Sequence, residues 1–172
     1  GPESPLRLTI KRVYLSLGSN LGKPDENLGQ ALALLQNNEI RVVARSSIYE
    51  TEPQDVVDQP WFLNMAVACE TRLFPLQLLA ATRKVEREMG RVRRVPRGPR
   101  IIDIDILLFG SAVIDTPRLT IPHPRMLDRR FVLEPLLEIA PDLHHPVTKR
   151  PLRESLNEVK AQKLRLKLLL SP

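Results

Sequence analysis

Cysteine, aromatic residues and long apolar runs are all scarce in this chain of 172 residues. Cys69 is the only cysteine, which excludes a disulfide framework and a cysteine-based zinc site. We therefore expect a reducing, cytoplasmic setting. No apolar run approaches the roughly 18 residues that a membrane-spanning helix needs. Aromatic residues make up only 4% of the chain, which argues against a surface that binds nucleic acid by stacking bases.

Length and composition indicate a single domain over residues 1–172. Hydrophobic residues make up 42% of the chain and charged residues 27%, which is ordinary for a globular protein. A chain of this length buries enough surface to fold without a disulfide or a structural metal. Gly1-Pro2 is typical of a cleaved expression tag, so we expect residues 1–7 to be a flexible tag remnant. Residues 152–172 are expected to form a basic C-terminal helix or tail.

Positive charge is in excess and is unevenly distributed. Lys and Arg total 26 against 20 for Asp and Glu, a net charge of +6, which favours anionic partners such as nucleotides, nucleic acid or acidic metabolites. Five arginines and no acidic residue lie between Arg91 and Arg100. A second basic cluster follows at residues 160–170.

Hydrophobic periodicity predicts an α+β fold. Four segments are rich in β-formers, at residues 8–17, 41–51, 62–71 and 101–109. Two segments have helical spacing and a proline near their start, at residues 25–36 and 75–89. The order β-α-β-β-α-β is that of the ferredoxin-like fold, in which one antiparallel sheet has both helices on one face. After Gly110 we expect short strands that wrap the core, and a helix at residues 131–139.

Asp103 and Asp105 are the sharpest chemical feature. Side chains alternate faces along a strand, so these two carboxylates share one face while Ile104 takes the other. Paired oxygen ligands without His or Cys favour Mg²⁺, which binds one or two carboxylates together with substrate phosphates. On spacing alone, a solvated acidic strand face explains the pair equally well.

The arginine-rich segment directly before this strand favours the metal interpretation. Guanidinium groups bind phosphate oxygens in pairs, and phosphoryl transfer combines such groups with metal ions. Pro96, Gly98 and Pro99 mark a loop, which we expect to close over a substrate. The alternative is a solvated basic run that serves solubility. The loop at residues 18–22 lacks the phosphate-binding P-loop pattern and is interpreted as a turn.

Five motifs in order resemble the 6-hydroxymethyl-7,8-dihydropterin pyrophosphokinase family, over most of the chain from about Val13 to Pro146. They lie at residues 14–22, 46–53, 59–64, 98–105 and 121–126. The resemblance implies a ferredoxin-like enzyme of folate biosynthesis that uses ATP and two Mg²⁺ ions. The implied reaction moves the pyrophosphoryl group of ATP onto the hydroxymethyl group of a reduced pterin and releases AMP.

The same resemblance implies roles for individual residues. Catalytic roles fall to Arg91, Arg100 and Asp105, and metal binding falls to Asp103 and Asp105. Contacts to ATP are implied for Arg93, Arg100, Ile106, Arg118, Thr120, His123 and Arg129. The pterin pocket is implied for Thr51, Pro53, Phe62, Asn64, Asp103 and Phe131, with the two phenylalanines on opposite faces of the ring.

Other functions stay open at this stage. A basic ferredoxin-like RNA-binding domain without enzymatic activity fits the fold class and the charge, although it lacks the exposed aromatic residues that such domains use. An inactive member of the enzyme family is a third possibility, because the arginine loop is one residue short and lacks a Trp before Gly98. We expect a monomer that binds neither nucleic acid nor a membrane.

Overall fold

The computed structural model describes residues 9–53, 58–91 and 98–170. Its first half contains β1 (Lys11–Ser19), α1 (Pro24–Leu35), β2 (Ile40–Arg45), β3 (Ile48–Thr51), β4 (Phe62–Thr71) and α2 (Pro75–Glu88). Its second half contains β5 (Asp103–Phe109), β6 (Ile114–Asp115), β7 (Thr120–Ile121), a 3₁₀ turn (Met126–Asp128), α3 (Arg130–Ile139), α4 (Leu152–Glu158) and β8 (Leu164–Leu168). Within these residues, no helix has the length and apolar character that crossing a bilayer requires.

The central sheet is antiparallel and has the strand order β5-β1-β4-β3-β8. Strands β2 and β3 both pair with β4, at opposite ends of that long strand. If β2 and β3 are counted as one interrupted strand, the order of the four predicted strands is fourth, first, third, second. The ferredoxin-like α+β prediction is therefore confirmed.

Helices cover both faces of this sheet. Helices α1 and α2 each begin with a proline and bury Leu28 and Leu78 against one face, where Val13, Leu15 and Leu17 of β1 point. On the other face α3 and α4 bury a second apolar cluster with β4 and β5. We call the face covered by α3 and α4 the α3 face.

Two secondary-structure predictions need correction. The segment predicted as one strand at residues 41–51 is split at Ser46-Ser47, because the Ser46 hydroxyl accepts the Ala66 N–H at 2.8 Å and donates to the Ser47 carbonyl at 2.7 Å. The basic segment after Leu152 is helical only to Glu158. Its last part forms β8, because β3 offers an unpaired edge and the alternating Leu and basic residues fit a strand there.

Candidate active site

A cavity opens on the α3 face, where the ends of β1, β4 and β5 meet the start of α3. We call it the amide cavity, after Asn64 in its wall. Its lining residues are Ser16, Gly18, Thr51, Glu52, Phe62, Asn64, Arg100, Asp103, Asp105, Arg129 and Phe131. Strand alternation explains the set: Ser16 and Gly18 of β1 lie opposite Asp105 and Asp103 of β5, and Gly18 lies opposite Asn64 of β4.

The wall of the amide cavity combines amide and hydroxyl groups with aromatic rings. Asn64 donates from Nδ2 to Thr51 Oγ1 at 2.7 Å, and both side chains are buried. A side chain at Gly18 would crowd this wall, because a Cβ there would lie 3.0 Å from Asn64 Oδ1, which would have to shift. Phe62 and Phe131 supply the two rings. The fold thus brings five of the six residues expected to bind pterin into one cavity: Thr51, Phe62, Asn64, Asp103 and Phe131.

Cationic groups surround this wall as well. The Arg129 guanidinium lies 5.4 Å from the centre of the Phe131 ring, within range of a cation–π interaction. Arg129 was expected on the nucleotide side, but it lines the amide cavity. Pro53, the remaining expected pterin residue, is buried but is not among the described residues that line the cavity.

Asp103 is held between two arginines. Arg91 Nη2 lies 3.2 Å from Asp103 Oδ1, and Arg100 Nη1 lies 3.1 Å from Asp103 Oδ2. Both arginines expected to be catalytic therefore contact the same carboxylate. Arg93 and the rest of residues 92–97 lie outside the described residues.

Asp105 has a different environment. Burial, together with the negative charges of Asp103 and Glu86, raises its pKa to about 7, against the smaller opposing effects of Arg129 and Arg83. An ionised Asp105 is thus unfavourable without an added positive charge nearby. The described residues contain no group of three or more His, Cys, Asp or Glu that would enclose a metal ion. Two oxygen ligands on one strand face fit Mg²⁺, which completes its shell with water and phosphate.

A second depression lies beyond Asp105, and we call it the arginine groove. It is lined by Arg83 of α2, by Ile104, Asp105 and Ile106 of β5, and by Leu79, Pro117, Arg118, Leu119, Thr120, His123 and Pro124. Four residues expected to bind ATP are found here together: Ile106, Arg118, Thr120 and His123. Asp105 belongs to both depressions, so it marks the place where they meet.

His123 is fixed in this groove as a neutral side chain. Burial lowers its pKa to about 4, and the positive charge of Arg129 adds to this effect. Its backbone N–H donates to the Leu107 carbonyl at 2.9 Å, which attaches the loop to β5. The peptide bond between Ile121 and Pro122, just before it, is cis. Its Nδ1 accepts the Arg125 backbone N–H at 3.2 Å, so at neutral pH the imidazole offers a donor at Nε2 rather than a charge.

Sequence reasoning missed several residues of the site. Ser16 and Glu52 line the amide cavity, Arg83 lines the arginine groove, and Glu86 lies buried beside Arg91. A signal for Glu86 was present: it follows Leu78 and Thr82 at helical spacing on the buried face of α2, where an acidic residue needs partners. Asn20 was interpreted only as part of a turn.

The fold and the site together define a small-molecule-binding α+β domain. A cavity with amide and aromatic walls suits a flat polar heterocycle, and a neighbouring groove with arginines suits phosphate groups. Asp105 lies where the two depressions join, with Asp103 beside it on the side of the amide cavity.

A family model described as 7,8-dihydro-6-hydroxymethylpterin-pyrophosphokinase (HPPK) matches residues 14–141. The chain is 49% identical over 138 residues to the 2-amino-4-hydroxy-6-hydroxymethyldihydropteridine pyrophosphokinase of Pseudomonas aeruginosa, covering 80% of this chain and 85% of that protein. It is 47% identical over 157 residues to the folic acid synthesis protein fol1 of Schizosaccharomyces pombe. The chain belongs to the HPPK family, as its motifs indicated.

Coverage differs sharply between these relatives. The matched region is 91% of this chain but only 21% of the Schizosaccharomyces protein. A solved structure of the Plasmodium falciparum HPPK-DHPS wild type with pteroate has the same fold, with a TM-score of 0.73 at 17% identity, over 90% of this chain and 43% of that one.

Proposed function

We propose that this chain transfers the pyrophosphoryl group of ATP to 6-hydroxymethyl-7,8-dihydropterin in folate biosynthesis, giving the pterin diphosphate and AMP. The observation that carries the proposal is the position of Asp105, which lines both the amide cavity and the arginine groove. The two substrates would meet beside this carboxylate. The family match and the 49% identical relative support the same reaction.

In this proposal the pterin occupies the amide cavity. Asn64 and Thr51, joined by their 2.7 Å hydrogen bond, present fixed polar groups to the edge of the heterocycle. Phe62 and Phe131 stack on its two faces, and Arg129 packs against Phe131. Such a pocket excludes analogues that leave its buried polar groups unpaired.

ATP occupies the arginine groove. Arg118 pairs with phosphate oxygens, while Thr120, His123 and Ile106 contact the remaining parts of the nucleotide. The neutral His123 suits a hydrogen bond to a sugar or base better than an ion pair. Arg93 belongs to the same set by family resemblance alone.

The reaction is a displacement at the β-phosphorus of ATP. The hydroxymethyl oxygen of the pterin forms a bond to this phosphorus and loses its proton to solvent, the bond to the α,β-bridging oxygen breaks, and AMP leaves with that oxygen. Asp103 and Asp105 would hold two Mg²⁺ ions, which when bound neutralise the phosphate oxygens. Arg91 and Arg100, already beside Asp103, add positive charge where negative charge develops. Positioning and charge neutralisation would then supply most of the rate.

AMP release from Mg-ATP, measured with and without 6-hydroxymethyl-7,8-dihydropterin, tests the proposal. We expect AMP that depends on the pterin, in equal amount to the pterin diphosphate, and no ADP. ADP in place of AMP, or no nucleotide product, would contradict it. Omission of Mg²⁺ with excess chelator should abolish the reaction.

RNA binding without catalysis finds no support in the comparisons. The monomeric state, the cytoplasmic location and the lack of nucleic-acid binding stay predictions. Light scattering, cell fractionation and titration with RNA at two salt concentrations would test them.

A further inference from the structure

Glu86 is a buried carboxylate in the last turn of α2, with an exposed fraction of only 2%. A buried charge is costly unless it is paired and hydrogen-bonded, so its partners show what it does. The residue lines neither the amide cavity nor the arginine groove as these are described. Its partners, however, belong to both sides of the site.

Each carboxylate oxygen of Glu86 has its own contacts. Oε1 lies 2.9 Å from Arg83 Nη1. Oε2 accepts the backbone N–H of Ile104 at 2.9 Å and lies 3.2 Å from Arg91 Nη1. The Ile104 amide lies between Asp103 and Asp105 in β5, so Glu86 ties α2 to the strand at the centre of the site.

The two arginines point toward different substrates. Arg83 lines the arginine groove together with Asp105. Arg91 reaches Asp103, which lines the amide cavity, at 3.2 Å. One carboxylate therefore fixes a cation on each side of the aspartate pair.

Arg91 depends on these ion pairs for its place. Its side chain is 6% exposed, and its Nε and Nη1 atoms are buried without a hydrogen-bond partner in the described part of the chain, so the contact between Nη1 and Glu86 is an ion pair rather than a hydrogen bond. Its ion pairs in that part of the chain are those to Glu86 and Asp103. Without Glu86, the guanidinium would keep its pairing with Asp103 but lose the contact that sets its direction.

We propose that Glu86 is a positioning residue, which holds Arg83 toward the triphosphate in the arginine groove and Arg91 beside Asp103 for the transfer step. This inference rests on the proposed pyrophosphoryl transfer. Glu86 acts through the two arginines and does not itself touch a substrate. Arg83, by contrast, contacts the phosphates directly.

The variant Glu86→Gln tests the proposal, since it keeps the shape and an acceptor for the Ile104 amide. We expect kcat/KM for ATP to fall by about 10- to 100-fold, as is typical when an outer partner of a site is removed. The KM for the pterin should change less than about twofold, because the amide cavity is lined by other residues. The matched control is Glu88→Gln, an exposed glutamate two positions along α2 that should behave like the wild type.

A cycle with Arg91→Met separates positioning from a general loss of structure. If Glu86 acts through Arg91, adding Glu86→Gln to Arg91→Met should cost clearly less than it does in the wild type. Fully additive losses in this cycle would overturn the Arg91 half of the proposal.

Should Glu86→Gln fail to fold, Arg83→Met tests the Arg83 half, because it removes only one half-exposed partner of Glu86. It should raise the KM for ATP about tenfold and leave the pterin KM unchanged, and an unchanged ATP KM would overturn the Arg83 half.

Failure of this inference is distinguishable from failure of the proposed function. If the wild type forms AMP and Glu86→Gln matches it, only the positioning role is wrong. If the wild type forms no AMP, the proposed reaction is wrong. In that case the affinity for Mg-ATP, measured by calorimetry for Glu86→Gln and Glu88→Gln, still tests whether Glu86 positions Arg83. Equal affinities of the two variants would overturn that role.

Discussion

Asn20 and the backbone of Arg100 hold each other through two hydrogen bonds. The Asn20 side-chain Oδ1 accepts the Arg100 N–H at 2.8 Å, and the Asn20 N–H donates to the Arg100 carbonyl at 3.0 Å. The Asn20 Nδ2 donates to Gln59 Oε1 and to the Pro60 carbonyl, each at 2.9 Å. One buried side chain thus joins the end of β1, the segment entering β4 and the residue that contacts Asp103.

Asn20→Ala should therefore lower stability and impair the site together. Its side chain is 2% exposed, and its loss removes the hydrogen bonds to the Arg100 N–H and the Pro60 carbonyl in a partly buried setting, at about 1–3 kcal/mol for each group left unsatisfied. We expect a loss of about 2–4 kcal/mol in the free energy of unfolding, measured by urea denaturation. Asn38→Ala, at an exposed position between α1 and β2, is the control and should cost much less. Equal losses in the two variants would contradict the bracing role of Asn20.

Asp105→Ala should abolish turnover. Asp105 is the carboxylate shared by the amide cavity and the arginine groove, so no neighbouring group replaces it. We expect AMP formation to fall by more than about 1000-fold at saturating substrates. The substitution would remove a carboxylate that binds Mg²⁺, and the charge of the phosphate oxygens would then not be neutralised. Asp115→Ala, on the exposed strand β6, is the matched control and should retain wild-type activity. Activity near that of the wild type in Asp105→Ala would remove the metal assignment.

Arg100→Ala should lower kcat far more than it weakens ATP binding. Arg100 lies at Asp103 in the amide cavity rather than in the arginine groove, so it contributes little to holding the nucleotide. We expect kcat to fall by about 100-fold or more and the Kd for Mg-ATP to rise less than about tenfold. Arg118→Ala provides the contrast, because it lines the groove and should chiefly weaken ATP binding. An unchanged kcat in Arg100→Ala would exclude a role in the transfer step.

Much of the fold was predictable because it follows local rules. Period-two alternation placed Asp103 and Asp105 on one face of β5, and the helical periodicity of α1 and α2 identified the face that they bury. The family resemblance assigned Thr51, Phe62, Asn64 and Phe131 to one predicted pocket, and all four line the amide cavity.

The remaining features depend on contacts between distant segments. The side chain of Arg129 faces the amide cavity because of how α3 packs on the sheet, which no spacing in the sequence specifies. The alternating Leu and basic residues of β8 have the period of a strand, but that period does not indicate that the strand pairs with β3. The contact of Glu86 with the Ile104 amide likewise requires knowing which strand lies beneath α2.

His123 should make stability depend on pH below neutrality. Its pKa is about 4 in the folded chain, against an ordinary value near 6.5, so between these values the unfolded chain binds more protons. The stability that the neutral His123 contributes is therefore lost as the pH falls from about 6.5 toward 4 and is fully present above 6.5, whereas the raised pKa of Asp105, about 7 in the folded chain, acts in the opposite direction below neutrality. His145, whose pKa burial also lowers, acts in the same direction as His123.

Thermal unfolding across this pH range measures the effect. His123→Gln should flatten the pH dependence relative to the wild type, whereas His144→Gln, in an exposed loop, should leave it unchanged. Equal slopes in the wild type and His123→Gln would show that His123 is not held neutral by the fold.

Trp61 reports on the contact between β8 and the wall of the amide cavity. It is the only tryptophan, it directly precedes Phe62, and the Arg165 guanidinium of β8 lies 4.8 Å from the centre of its ring. Arg165 also pairs with Glu50 of β3 at 2.9 Å, but it is exposed, and exposed ion pairs contribute little to stability. Arg165→Gln should therefore shift the Trp61 emission while leaving the unfolding midpoint almost unchanged. Arg153→Gln, on α4, is the control and should alter neither the emission nor the midpoint.

Because Trp61 directly precedes Phe62, which lines the amide cavity, pterin binding should also change the Trp61 emission in both variants. If the pterin binds without any such change, its site lies away from Phe62.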